Sequence, residues 1–134
     1  MTNQLKFYIA SSFQNKQHVQ AIASELKNYG YTHTYDWTKN EKAVTLEDLA
    51  SIGEAELQAV KKADFLIVIL PGGKGTHVEL GIALGRDIPV YLFSEQEFHH
   101  IEASSFYYTS GVTIVEGSDE KLVQTILEKH CFSA

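Results

Sequence analysis

The sequence predicts a three-layer α/β sandwich built on a five-stranded parallel sheet, and three observations lead there. Five short apolar runs alternate with four amphipathic stretches along the 134 residues, the pattern of strands joined by crossover helices. The run "ADFLIVIL" at 63–70 is continuous and rich in β-branched residues, which suits a strand covered on both faces. No internal repeat, low-complexity tract or linker divides the chain, so residues 1–134 are expected to form a single domain.

Each element follows from its own residues. "LKFYIA" at 5–10 reads as a buried strand. After "SSF" comes a helix over 15–29, with Val19, Ile22, Ala23 and Leu26 at three- and four-residue spacing. Gly30 stands where a left-handed residue closes a helix. "YTHTYDW" at 31–37 is a second strand that runs into the polar loop "TKNEKAV". Thr45 starts a helix over 45–62, with Leu46, Leu49, Ile52 and Val60 on one face. The 63–70 strand leads into a glycine-rich loop, a helix over 76–86 and a strand at 88–93. The polar stretch that follows ends in the strand "GVTIVE" at 111–116, and Ser118 caps a last helix that reaches residue 130 with Leu122, Ile126 and Leu127 inward.

Right-handed crossovers leave few ways to wind five such strands. The expected order is the flavodoxin-like, more broadly Rossmann-like, 2-1-3-4-5, whose switch point lies between strands 1 and 3. Ligands of these sheets bind at the carboxyl ends of the strands beside the switch. The loops there are "ASSF" and "LPGGKGTHVELG".

Composition narrows the partners. A formal charge of −6 argues against a nucleic-acid polymer or an anionic membrane, since both call for a basic face, but leaves room for one nucleotide. The lone cysteine, Cys131, can form no disulfide within the chain, and no signal peptide or membrane-length apolar run is present. A cytoplasmic location is expected. The six histidines show no metal-ligand spacing and no Ser/His/Asp or Cys/His arrangement occurs, so neither a metal nor a cofactor is implied.

The loop "LPGGKGTHVELG" carries the chemistry, and Glu79 within it admits two readings. Thr76 and Glu79 have the spacing of a capping box, in which the hydroxyl and the carboxylate would satisfy the helix terminus. Alternatively, free N–H groups of a loop containing Gly72, Gly73, Lys74, Gly75 and Thr76 face a ligand. The carboxylate can then attack an electrophilic sugar carbon or stabilise a cationic one. Glu56 draws attention independently, because it falls in the otherwise apolar row Leu49, Ile52, Glu56, Val60. Its plainer reading is a glutamate at the helix edge.

The segment "ADFLIVILPGGKGTHVELGIALGRDIPVYLF" at 63–93 resembles the nucleoside 2-deoxyribosyltransferase family, whose pattern is A-D-hhhh…G-T-x-x-E-h-G-x-A…G-x-P-V. "FYIASSF" at 7–13 is similar to that family's first-strand motif, commonly I-Y-L-A-G-P-F. The family includes deoxyribosyltransferases and hydrolases of deoxynucleoside 5′-monophosphates. The resemblance implies a retaining mechanism with Glu79 as nucleophile at C1′, Glu56 as second carboxylate and Tyr8 as hydrogen-bond partner of the nucleophile. Ser11, Ser12, Phe13, Trp37 and the loop residues 72–76 would bind substrate, with Asp64 structural. It further implies a homodimer or larger homo-oligomer acting on a small-molecule nucleoside or nucleotide. Residues 97–108, "EFHHIEASSFYY", are the candidate interface.

Two departures bear on substrate. "GGK" stands where many transferases carry an aspartate, and "SS" replaces the usual "GP" without forming the longer glycine loop of the monophosphate hydrolases. "PGGKGTHVE" also matches the P-G-G-x-G-T-x-x-E motif of cytokinin-activating phosphoribohydrolases, which cleave the same kind of bond. Two alternatives stay open: a non-catalytic nucleotide-binding or signalling module with Glu79 as a cap, and a TIR-like NAD-cleaving domain.

Overall fold

The computed structural model describes residues 5–97 and 103–130. Five strands, β1 (Lys6–Ala10), β2 (Thr32–His33), β3 (Phe65–Ile69), β4 (Val90–Ser94) and β5 (Val112–Glu116), form one parallel sheet in the order β2-β1-β3-β4-β5. The sequence predicts this order. The pairing Ile9 with Ile67 and Ile67 with Tyr91 sets the central register. Four helices, α1 (Lys16–Asn28), α2 (Leu46–Lys62), α3 (Lys74–Gly85) and α4 (Asp119–Lys129), cover the faces, α1 beside α4 and α2 beside α3. All of β3 is buried, as its unbroken apolar run requires.

The helix ends follow the expected chemistry, with one informative exception. Gly30 has φ +94° and closes α1, Thr45 and Asp48 form a reciprocal capping box on α2, and Ser118 Oγ accepts the Lys121 N–H of α4. The exception is α3, which starts at Lys74 rather than at Thr76. Gly73 occupies the cap position. Thr76, in the first turn, turns its hydroxyl back to accept the Gly73 N–H at 2.9 Å. Glu79 therefore sits in the second turn, beyond the reach of a cap.

Two further expectations need correction. The second strand is only Thr32–His33, because Tyr35, Asp36 and Trp37 turn away into a short 3₁₀ turn over Trp37–Lys39 held by Asp36. On α2 the expected inward row is buried only at its C-terminal end. Ala59 and Val60 pack on the sheet, while Leu46 and Leu49 are 83% and 58% exposed. Ile52 and Glu56, between these two groups, are half-buried. Cys131 and residues 98–102 of the candidate interface lie outside the described residues. Of its remainder, Phe106 and Tyr108 are exposed and Tyr107 is buried.

Candidate active site

At the carboxyl ends of β1 and β3 a cavity of about 300 Å³ opens, lined by Tyr8, Ser11, Ser12, Phe13, Trp37, Glu56, Gly73, Gly75, Thr76 and Glu79. Nearly all the residues singled out in the sequence meet here, at the switch point of the sheet. Two do not line it. Gly72 and Lys74 lie on the loop but not along this cavity, and Gly72 has a packing reason to be glycine. A Cβ there would stand 2.6 Å from Thr76 Cγ2. At Gly73 and Gly75 an added Cβ meets nothing within 4 Å.

Glu79 is the centre of the site. It is 7% exposed, and Tyr8, wholly buried on β1, donates its O–H to Glu79 Oε2 at 2.9 Å. Burial and the facing Glu56 carboxylate raise the Glu79 pKa to about 8, against the smaller lowering effect of the Tyr8 hydrogen bond. Tyr8 is itself pushed far above the ordinary phenol range, first by burial and then by the Glu79 and Glu56 charges, so it stays a donor. Two facing carboxyl groups that hold a proton at neutral pH are the arrangement acid–base and nucleophilic chemistry use. The capping reading of Glu79 is thereby corrected: the carboxylate bonds to a neighbouring strand, not to its own helix.

The first loop is tied to the glycine loop by contacts the sequence does not announce. Ser11 Oγ donates to the Ile69 carbonyl at 2.8 Å. Asn15 Nδ2 donates to Ser11 Oγ at 2.9 Å and to the Pro71 carbonyl at 3.0 Å. Asn15 is thus a site-building residue that sequence reasoning missed, because its partner on the glycine loop is 56 residues away and no short motif marks it. Ser12 differs from Ser11: its Oγ is buried and has no partner among the described residues, an acceptor or donor left for a ligand. Trp37 both anchors and lines. Its indole N–H donates to the Ile9 carbonyl at 2.6 Å, and its ring stands 6.2 Å from the exposed Phe13 ring, tilted by 41°.

His77 and Asp64 lie elsewhere. His77 Nδ1 donates to the Gly73 carbonyl and Nε2 accepts from the Tyr107 hydroxyl, on a neighbouring cavity shared with Gly72. Asp64 accepts the Lys6 N–H at 2.8 Å, a brace at the opposite end of the strands, as expected of a structural residue. Among the described residues, His18, Glu95 and Asp119 bring ligand-type atoms within 4.8 Å of one another. They come from three distant parts of the chain, outside the reach of spacing arguments, and none of them lines the cavity around Glu79. No helix among the described residues is long and apolar enough to cross a membrane.

Comparison with known proteins follows the same lines. The structure is similar to that of the Clostridium botulinum CMP N-glycosidase BcmB, with a TM-score of 0.64 and 18% identity over 90% of this chain and 97% of that one. It is similar also to the solution structure of BlsM, with a TM-score of 0.68 and 15% identity over 100% of this chain and 99% of that one. At such identities the likeness concerns the fold. No curated protein sequence matches the chain. The family profile described as nucleoside 2-deoxyribosyltransferase matches residues 7–124, and the chain therefore belongs to the nucleoside 2-deoxyribosyltransferase family.

Proposed function

We propose that the protein cleaves the N-glycosidic bond of a deoxynucleoside or its 5′-monophosphate with Glu79 as nucleophile, passing the deoxyribosyl group to a second base or to water. Family membership supports the coarser statement, nucleoside or nucleotide N-glycosidase or deoxyribosyltransferase activity. One observation carries the finer one: a buried carboxylate, oriented by Tyr8 and free of its own helix, faces a second carboxylate in a cavity at the switch point.

In the proposed reaction the ionised Glu79 attacks C1′. The bond from C1′ to the base nitrogen breaks, its electron pair stays on the base, and that base takes a proton from the carboxyl of Glu56. Glu56 is suited to this because it lines both the inner cavity and an adjoining outer recess. A base or water then attacks C1′ and gives its proton back to Glu56, releasing Glu79 with net retention. Burial and the Glu56 charge favour a proton on Glu79, so the reaction requires that proton on the Glu56 side at the moment of attack. Ser12 Oγ and the loop N–H groups at Gly75 and Thr76 are left to bind sugar hydroxyls.

The test is incubation with deoxynucleosides and deoxynucleoside monophosphates, with and without a second free base, following base release. The monophosphates belong in the panel because one fold neighbour is a CMP N-glycosidase. Base exchange identifies a transferase and release alone a hydrolase. Absence of turnover with nucleosides, nucleotides and NAD would instead favour a binding module.

A further inference from the structure

The cavity around Glu79 continues outward into a recess of about 470 Å³ that shares Phe13, Trp37 and Glu56 with it. The two parts differ in chemistry. The inner one is floored by carboxylates, a serine hydroxyl and loop backbone, the outer one walled by Phe13, Trp37, Ala43 and Ile52. Flat apolar walls suit an aromatic heterocycle, and polar groups beside Glu79 suit a sugar. Resting on the reading above, we infer that the base occupies the outer recess and that Asn40 recognises its edge, donating from Nδ2 to a ring nitrogen or carbonyl oxygen.

Three features of this chain carry that assignment. Asn40 lines the recess. Its Oδ1 accepts the Tyr35 hydroxyl at 2.9 Å, which sets the amide so that Nδ2 is the group left over, without a hydrogen-bond partner among the described residues. The segment bearing it is held far more firmly than a surface loop needs. Asp36 Oδ1 accepts from both the N–H and the hydroxyl of Thr38, and Gln20 Nε2 donates to Thr38 Oγ1. Trp37 is bonded to the Ile9 carbonyl, and the Asn40 N–H donates to the Trp37 carbonyl. An open donor on a turn anchored this closely at Trp37 and Thr38 is a preorganised recognition group. Glu41 and Lys42, also on the recess, are exposed and form its mouth.

Removing a hydrogen bond that reads a ligand edge in a partly desolvated pocket lowers kcat/KM by about 10- to 30-fold. We expect Asn40→Ala to show that loss mainly in KM across a panel of deoxyadenosine, deoxyinosine, deoxycytidine and deoxyuridine. Asn40→Asp, acceptor-only when ionised, should reorder the panel toward bases that offer a donor. Tyr35→Phe, which frees the amide to rotate, should give a smaller loss in the same direction. Wild-type constants in Asn40→Ala, or a uniform fall in kcat with KM unchanged, overturn the inference while leaving the proposed reaction standing. Calorimetric binding of the same nucleosides to wild type and Asn40→Ala decides it even without turnover. Weaker binding to the variant supports it; equal binding, or binding to neither, overturns it.

Discussion

Replacing Glu79 by Gln separates what this carboxylate does for catalysis from what it does to the fold. The side chain keeps its shape and its acceptor oxygen for Tyr8 but can no longer ionise. In the folded protein burial and Glu56 hold the Glu79 proton up to a pKa of about 8, against an ordinary value of 4.5. Between those two values the folded state binds the proton and the unfolded state does not, so stability falls as pH rises through that window and levels off above it. At ~1.4 kcal/mol per pH unit, the penalty at pH 7 reaches ~3 kcal/mol, of which the amide should recover ~2 kcal/mol after a less favourable contact with Glu56. Thermal unfolding at pH 5, 7 and 9 checks this. The variant should melt at about the wild-type temperature at pH 5 and several degrees higher at pH 7 and 9, by about 3–5 °C per kcal/mol in a domain of this size. Base release should fall by at least about a thousandfold. A variant with the wild-type pH slope would refute the burial argument, and one with wild-type turnover would refute the nucleophile.

Other perturbations test neighbouring links. Tyr8→Phe removes the one contact that lowers the Glu79 pKa, so the pH–rate profile should shift to higher pH and kcat fall by about 10- to 100-fold with KM little changed. Gly75→Ala adds a methyl in open space at the cavity wall within the first turn of α3. It should raise stability by up to ~1 kcal/mol, as alanine does in helices, while lowering kcat/KM about tenfold, seen by pairing melts with kinetics. Gly72→Ala should do the reverse, destabilising by ~1–3 kcal/mol through overlap with Thr76, as a denaturant midpoint will report. His33, stacked on Phe7 and with both ring nitrogens buried and unpartnered among the described residues, has its pKa lowered to about 4 by burial. Stability is then complete above pH 6.5 and lost as pH falls toward 4, by about 3 kcal/mol. His33→Phe should flatten that limb in acid unfolding curves.

Much of this molecule is legible in its residues. An unbroken apolar run such as 65–69 can be satisfied only between two helical layers, and the alternation around it leaves a right-handed doubly wound sheet as the compact solution. Chain order thus predicts the strand order and the loops that meet at its switch. Local chemistry predicts the caps at Thr45 and Ser118 and the left-handed Gly30, because each depends on neighbours a few residues away. Glu79 and Glu56 stand out for the same kind of reason, one in a glycine-loop motif and one as an acid in an apolar row.

What distance in sequence separates, only the tertiary structure could bring together. The Thr76–Glu79 spacing satisfies a capping box on paper. Thr76 instead turns back to Gly73 and the carboxylate turns to a phenol 71 residues away. The apolar face of α2 reads as one stripe, yet only its C-terminal end is buried, with Leu46 and Leu49 exposed and Glu56 lining the cavity. Asn15 and Asn40 carry no motif at all; Asn15 acquires its part from Pro71, 56 residues on, and Asn40 from the recess it shares with Phe13 and Ile52. Periodicity and caps are short-range consequences of backbone geometry, and the sequence determines them by itself. The raised pKa of Glu79, the braced first loop and the open amide depend on which side chains the folded sheet sets against one another.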